Sequence, residues 1–481
     1  MSEIDCHGDW DCEVEHYRAH TVFPDFMKPE TRQWWYDMVT DFHHTIAFDG
    51  LWIDMNEAAN FVTGSTRGCD YEDPLESPPY LPKIFGPVLA DKTICMASLS
   101  HNTDTTKTYQ YNMHSLFGWS QNAPTLTAAR QSTGKRSIVV SRSTFPGSGT
   151  NSGHWLGDNT SIWPHMHKSI IGMLEFNLFG VPYIGADICG FFEDTTEELC
   201  LRWTQLGAFY PYARNHNSLG NIPQDPAAFG PEFASYARDV LHVRYTLLPY
   251  LYTLFFLANQ QGETVVRPLM QEFTSDLMTR TIDRQFLWGP ALLISPVLDE
   301  GAVTVEAYMT DARWFDYYTG AEVPTRGKYT TLNAPLDYIP LHVRGGYIIP
   351  TQQPANTTVI SRQLPMGLIV SLDDTYTASG SLFWDEGDTI DSIESNDYFL
   401  EQFTATSNQV NSIIMMNAYV MDPLVLDDVY VYGLENTDIT RVLLNGVELN
   451  IDNWSVDATL NVLAVNSMGH PMDETLKLMW E

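Results

Sequence analysis

The run Gly50-Leu51-Trp52-Ile53-Asp54-Met55-Asn56-Glu57 leads four small or apolar residues into an acidic, polar tip. It predicts a buried strand that ends in the Asp54 carboxylate. Parallel barrels place catalytic groups at such C-terminal strand ends, where the connecting loops converge. Further on, His154-Trp155-Leu156-Gly157-Asp158-Asn159 repeats the device, a short aromatic segment delivering Asp158 beside a glycine. Two strand-end carboxylates are the minimum equipment for cleaving a glycosidic bond, one as nucleophile and one as acid/base. The plainer reading of Asp54 is a capping or turn aspartate, and spacing alone does not decide. His43-His44 and the pair His165 and His167 bring no cysteine or carboxylate at ligand spacing. They read as exposed helical histidines, and neither a metal nor another cofactor is expected.

Those carboxylates need a frame. A chain of 481 residues has room for two or three domains with sizeable cores. Its hydrophobic fraction of 44% and aromatic content of 12% are those of a folded protein. A net charge of −34 excludes nucleic acid as a partner, since phosphate binding needs clustered Lys and Arg. The same charge favours a soluble protein in an extracellular or vesicular setting. Met1 to Asp11 is polar and acidic, unlike a signal peptide. The most apolar stretch, Leu247 to Ala258, is short and contains Pro249, so it reads as a buried helix and not a membrane span. Six cysteines can pair in many ways. Cys69 with Cys95 and Cys189 with Cys200 are local, loop-closing candidates.

Residues 1–20 lack periodicity and read as a loop. A helix is predicted over about 30–42, with Trp34, Trp35, Met38 and Phe42 at helical spacing. After the Asp54 strand, residues 62–107 are rich in Pro, Gly, Ser and Asp, an excursion that should overhang the strand end. Residues 108–133 read as helix, interrupted or restarted at Pro124. Ser137 to Arg142 is a buried strand ending in a cation. The glycine-rich stretch 147–153 lacks the Gly-Lys-Ser/Thr ending of a phosphate loop. There follow a helix over 163–179, a strand from Tyr183 to Asp187, and a helix opened by a Thr195/Glu198 capping box. A strand-to-loop passage over 209–216 and one long helix over about 231–259 complete the region.

Strands alternating with helices, each strand ending in a polar residue, describe part of an α/β fold of the (β/α)8 barrel type. About five strands can be counted where closure needs eight. Nothing before Phe23 could supply the rest, so the chain is expected to begin inside a barrel. From about residue 265 the texture turns to short β segments, with alternation as in Asp428-Val429-Tyr430-Val431-Tyr432. The expected division is a loop over 1–20, a partial barrel over 21–264, and two all-β domains over 265–347 and 348–481.

The runs Gly50 to Glu57 and His154 to Asn159 stand with Gly185-Ala186-Asp187-Ile188-Cys189-Gly190-Phe191-Phe192 and Arg214-Asn215-His216-Asn217. Further motifs are Arg142-Ser143-Thr144-Phe145-Pro146, Arg202 to Pro211, Leu341-His342-Val343-Arg344-Gly345-Gly346 and Phe383-Trp384-Asp385-Glu386-Gly387. In these the chain resembles glycoside hydrolase family 31, within it the maltase-glucoamylase, sucrase-isomaltase and lysosomal acid α-glucosidase group. The resemblance implies a (β/α)8 barrel followed by proximal and distal β-sandwich-like domains. The family's N-terminal β-sandwich and first barrel strands have no counterpart here, and in a full-length protein they are expected to pack against this chain. The sequence departs from the family's pattern at Ala58, usually Pro, and at Thr150-Asn151, near a usual Arg-Trp pair.

By that resemblance the function is a retaining, exo-acting α-glucosidase. It would release α-1,4-linked glucose, and α-1,6-linked glucose or sucrose within reach, from maltose and malto-oligosaccharides through a glucosyl–Asp54 intermediate. Asp158 would be the acid/base, its pKa raised by burial or a nearby anion, with the two carboxyls about 5–5.5 Å apart. Arg142, Asp187 and His216 would hold sugar hydroxyls. Met55, Trp155 and Phe191 would wall the pocket, and Glu57 would support by hydrogen bonding. The plainer readings are a structural ion pair for Arg142 and Asp187, a satisfied core histidine for His216 and core packing for Met55. Cys189 is expected in a structural disulfide with Cys200 in preference to a nucleophilic role. Asn356 and Asn453 open glycosylation sequons, and Asn159 a third that should stay unmodified beside Asp158. The setting implied is the secretory pathway, at a cell surface or in the lysosome. The alternative from another class is a catalytically silent carbohydrate-binding or scaffold module.

Overall fold

The computed structural model describes residues 7, 12, 22–65, 67–101, 107–421 and 423–481. The loop expected over 1–20 lies outside the described residues apart from 7 and 12. The described chain forms two compact units, residues 1–154 and 155–481.

In the first unit, helix α1 (Pro29–Thr45) opens on a proline, with Glu30 in its first turn and His43 and His44 in its last. A proline is tolerated there because its missing N–H would have no helical partner anyway. Strand β1 (Gly50–Ile53), helix α2 (Phe117–Thr133), strand β2 (Ile138–Ser141) and strand β3 (Gly153–Trp155) follow. β1 and β2 are parallel, in register from Gly50 opposite Ile138 to Ile53 opposite Ser141. β2 continues onto β3, with Ser141 opposite His154. Ile53, Leu126 and Val139 form the small core between strands and helix, with Trp35 of α1 against it. The Trp35 indole N–H reaches Thr125 Oγ1 at 3.0 Å, tying α1 to α2.

Two expectations change here. β1 is not buried along its length: Trp52 is 43% exposed, because β1 is hydrogen-bonded to a strand on one side only among the described residues. The helix over 108–133 breaks earlier than Pro124, at the 3-10 turn His114–Leu116. Pro124 sits buried inside α2, which forgoes the hydrogen bond its nitrogen cannot donate. The described residues of the excursion over 62–107 stay irregular apart from an isolated bridge between Ser65 and Gly68 and the short antiparallel pair Leu99–His101 with Lys107–Tyr109. A disulfide joins Cys69 to Cys95 within it. Thr93 Oγ1 donates to the Ala58 carbonyl at 2.6 Å, fastening the excursion just beyond the tip of β1.

The second unit opens with helix α3 (Trp163–Leu178). The expected strand over 183–187 is two short ones, β4 (Ile184–Gly185) and β5 (Asp187–Ile188). Helix α4 (Glu197–Gly207) is capped by Thr196, whose hydroxyl accepts from Leu199 N at 3.3 Å, and not by Thr195. Glu198 is thereby free of a capping-box role and accepts from Gly301 N at 2.7 Å. β6 (Arg214–Asn215) lies parallel to β5, Asp187 opposite Arg214. The single long helix is instead α5 (Pro231–Thr246) and α6 (Leu248–Gln261), bent by 50°. Pro249 falls in the first turn of α6, where its ring and missing N–H forbid an unbroken helix but suit a new start. No single described helix is long and apolar enough to cross a membrane, although α5 and α6 together pass that test by length and composition. Tyr250, Leu251, Leu254 and Phe256 of α6 are buried within the unit.

The β-rich remainder begins with a five-stranded sheet of β7 (Val266–Arg267), β8 (Phe286–Trp288), β9 (Leu292–Ile294), β10 (Trp314–Asp316) and β11 (Leu341–Arg344). Its order is β10-β11-β9-β8-β7. A larger sheet of 12 strands follows. Seven of these run, in spatial order, β16 (Gln409–Asn417), β15 (Phe399–Thr406), β14 (Ala378–Trp384), β12 (Tyr347–Gln352), β13 (Met366–Ser371), β17 (Val425–Tyr432) and β18 (Val462–Val465). Val370, Leu382, Phe403, Val410, Val431 and Leu463 are among its buried core residues. The chain is thus an α/β fold carrying part of a barrel, followed by all-β structure.

Candidate active site

In the first unit the residues gather at the tip of β1. Asp54 follows the strand directly, and Met55 turns the chain in a left-handed conformation, φ +53°. The Met55 N–H reaches Asp54 Oδ1 at 2.7 Å. Arg142, the residue after β2, places one guanidinium nitrogen 3.3 Å from the same Oδ1. Its other face grips Glu57 in a two-point pair, Nε to Oε1 at 2.9 Å and Nη2 to Oε2 at 2.8 Å. Such forked pairs fix the plane of the guanidinium as well as its position. The parallel register puts Ile53 opposite Ser141, and Arg142 N donates to the Ile53 carbonyl at 3.2 Å.

Behind this pair lies a buried polar support. Asn56 donates to Ser141 Oγ at 2.9 Å and accepts from Ser143 N at 2.8 Å. His154 sits 2.9 Å by Nδ1 from the Ser141 carbonyl, which assigns the ring proton to Nδ1. Burial lowers the His154 pKa to about 4, outweighing the raising effects of that hydrogen bond and of the Glu57 charge. His154 is therefore a neutral imidazole across the physiological range.

In the second unit Asp187 and Trp155 meet Arg214, and Phe191 and His216 pair with each other. Asp187 is fully buried and paired with the Arg214 guanidinium. The same guanidinium lies 5.5 Å from the centre of the buried Trp155 ring, a cation–π distance. Phe191 and His216 stack at 5.2 Å between ring centres. Asp158 stands exposed on the turn after Gly157, whose φ is +76°. Next to it, Asn159 donates to the Asp187 carbonyl and accepts from Phe191 N, both at 3.0 Å. The disulfide Cys189–Cys200 ties the same loop to α4. Gln224, buried, spans four groups by Nε2: the carbonyls of Ile188, Gly190 and His216 and Oδ1 of Asn215, at 3.0–3.2 Å.

Arg142 and Asp187 both sit in ion pairs, with Asp54 and Glu57 in one case and Arg214 in the other. Sequence reasoning gave no role to Arg214, Asn159, Gln224 or Asn56. The first, second and fourth lie inside the motif runs, and that position was the available signal; Gln224 lies in no motif. Asn159 carries the clearest consequence. Its side chain is engaged, so replacing it with alanine removes the tie to the Asp187 carbonyl and leaves Phe191 N only its bond to the residue 159 carbonyl at 3.0 Å, which loosens the turn carrying Asp158. A loss of about 1–3 kcal/mol in urea unfolding is expected for Asn159→Ala. Of the two remaining sequons, Asn356 is exposed, whereas Asn453 Nδ2 donates to the Ser467 carbonyl at 3.0 Å.

Comparison with known proteins adds the frame. The profile of the glycosyl hydrolases family 31 TIM-barrel domain matches residues 4–254, and that of the glycosyl hydrolase family 31 C-terminal domain matches residues 262–349. The chain is 49% identical over 450 residues to human probable maltase-glucoamylase 2, covering 91% of this chain and 18% of that protein. It is 46% identical over 471 residues to human intestinal sucrase-isomaltase, covering 96% and 26%. Mouse lysosomal alpha-glucosidase is 43% identical over 478 residues, covering 96% and 49%. The chain thus spans half or less of each of these relatives. A solved structure of the ER glucosidase II heterodimeric complex superposes with a TM-score of 0.82 at 24% identity, covering 95% of this chain and 49% of that one. That likeness concerns the fold alone.

Proposed function

The chain belongs to glycoside hydrolase family 31, and from that premise we propose that it carries the two catalytic carboxylates of a retaining, exo-acting α-glucosidase. The observation that carries the reading is Asp54 at the C-terminal end of a parallel strand, held at one oxygen by Arg142 and the Met55 N–H. Both contacts fall on Oδ1, and Oδ2 would attack the anomeric carbon. The attack forms the C1–Oδ2 bond and breaks C1–O of the leaving sugar, whose oxygen takes the Asp158 proton. Asp158, now a carboxylate, takes a proton from water, and the resulting hydroxide displaces Asp54 to give glucose with its α-configuration restored. Arg142, Asp187 and His216 would take sugar hydroxyls, with Met55, Trp155 and Phe191 as apolar walls. Glu57 would hold Arg142 through the observed two-point pair.

The substrates proposed are maltose and short malto-oligosaccharides, with α-1,6-linked glucose or sucrose next. A secretory setting, at a cell surface or in the lysosome, is supported by the two disulfides among the described residues and by the intestinal and lysosomal names of its relatives. The proposed division is a barrel part over 21–264 and β domains over 265–347 and 348–481, after a loop over 1–20. In a longer protein, further strands of the same barrel would take the open edge of β1. The test is release of 4-nitrophenol from its α-glucoside by the purified chain, with polarimetry of the first sugar formed. Retained configuration supports the reading. A folded chain that releases nothing favours the silent module.

A further inference from the structure

Asn356-Thr357-Thr358 is a sequon to which the catalytic reading gives no part. It lies in the second unit, between the end of β12 at Gln352 and the single helical turn Thr358–Ser361. Residues 356–360 are all exposed. Thr357 caps the turn, its hydroxyl accepting from Ile360 N at 3.3 Å. The hydroxyl that the sequon requires belongs to Thr358, which stays at the surface. The Asn356 amide makes no hydrogen bond to another described residue. It can therefore carry a bulky substituent without giving up a contact, unlike Asn159, whose amide is engaged at both atoms.

The surface next to Asn356 is apolar. Val359 and Ile360 are 71% and 50% exposed, and Val420 is 70% exposed. Val359 and Val420 border one hollow of about 770 Å³, together with Tyr419 and Leu424. Exposed apolar side chains gathered in this way mark a surface that something covers. Val359 is three residues from Asn356 and within one helical turn of Thr358, so a group attached at Asn356 lies at the edge of the patch. We propose that Asn356 is N-glycosylated and that its glycan shields this apolar rim.

The inference rests on the secretory setting proposed above. The donor is an oligosaccharide joined through C1 to a lipid diphosphate. Asn356 Nδ2 forms the bond to C1, the C1–O bond to the diphosphate breaks, the lipid diphosphate leaves and one amide proton passes to solvent. Sugars present C–H and methyl groups as well as hydroxyls, so they lie over Val359 and Val420 while their polar groups stay in water. A branched sugar anchored there also keeps another protein surface from settling on the patch.

The test expresses the full 481-residue chain behind a cleavable leader in a glycosylating cell, which imposes passage through the secretory pathway. A failure at Asn356 then counts against the site and not against the setting. Mass spectrometry of the peptide carrying Asn356 should show a sugar adduct that peptide N-glycosidase removes, leaving aspartate. Thr358→Ser preserves the sequon and should keep the sugar, whereas Asn356→Gln and Thr358→Val should lose it. Hydroxyl-radical footprinting of the folded chains reads the shielding. Labelling of Val359, Ile360 and Val420 should rise about twofold or more in the two sugar-free variants and stay at the parental level in Thr358→Ser. An unmodified Asn356 would overturn the proposal. So would a glycosylated chain whose three apolar residues are labelled as strongly as in the sugar-free variants.

Discussion

Replacing Asp54 with alanine should lower kcat on 4-nitrophenyl α-glucoside by about 10⁴-fold or more while leaving the chain folded. The side chain is partly exposed, and its contacts are one N–H and one guanidinium nitrogen, so little of the fold depends on it. The chemistry depends on it wholly, since without Oδ2 there is no group to displace the leaving sugar. Removing the carboxylate also opens room for an external nucleophile. Azide entering from that face would trap the β-glucosyl azide, inverted relative to substrate. Asp158→Ala makes the opposite prediction. There the glucosyl–Asp54 ester still forms from an aryl glucoside, whose leaving group needs little proton assistance, and azide then resolves it to the α-glucosyl azide. Maltose, with a poor leaving group, should lose about 10²–10⁴-fold in that variant. The stereochemistry of the azide product therefore tests the two roles separately. Equal products from both variants, or an Asp54→Ala chain as active as its parent, would sink the assignment.

The contrast between what could and could not be read beforehand follows the range of the forces involved. Asp54 and Asp158 were visible because each ends a short apolar run, and a run of that kind is a local property. The partner of Glu57 was not visible. Its pairing with Arg142 spans 85 residues and exists because β1 and β2 align Ile53 with Ser141, which is a matter of register. Arg214 was legible as a polar residue but not as the partner of Asp187, for the same reason: β5 and β6 had first to lie in parallel. Helix boundaries failed where a proline has two meanings. Pro249 in a helical pattern can kink or restart it, and here it restarts it, giving α5 and α6 a 50° bend. Pro124 was assigned the break that falls instead at His114–Leu116, because its buried surroundings hold α2 together across it. Thr195 and Thr196 are equivalent on paper as caps, and only the direction of chain entry favours Thr196.

Glutamate in an inward position of a β-strand is a different case, since the alternation that hides it is itself readable. β15 alternates buried and less buried residues along Phe399–Thr406, and Glu401 falls among the buried ones with Phe399, Phe403 and Ala405. Burial raises its pKa from 4.5 to about 7, and the hydrogen bond from Ser412 recovers only part of the charged form. Ser412 Oγ accepts from Leu476 N at 2.8 Å, which leaves its own O–H to donate to the carboxylate. The sign follows directly. In the folded chain Glu401 keeps its proton to higher pH than when unfolded, so its contribution is full below pH 4.5 and is lost as pH rises towards 7. The swing is about 3 kcal/mol, with the penalty constant above that range. Glu401→Gln, of the same shape and always neutral, should remove the swing and stabilise the chain at pH 8 by about 2–3 kcal/mol, while leaving it near parental stability at pH 4.5. Urea unfolding of the two chains across that range, followed by fluorescence, reads the difference. Parallel pH profiles for parent and variant would mean that the charged carboxylate is accommodated in the sheet. A converging pair at acid pH would instead place in β15 a stability term that favours the protein in an acidic compartment, independent of the catalytic carboxylates.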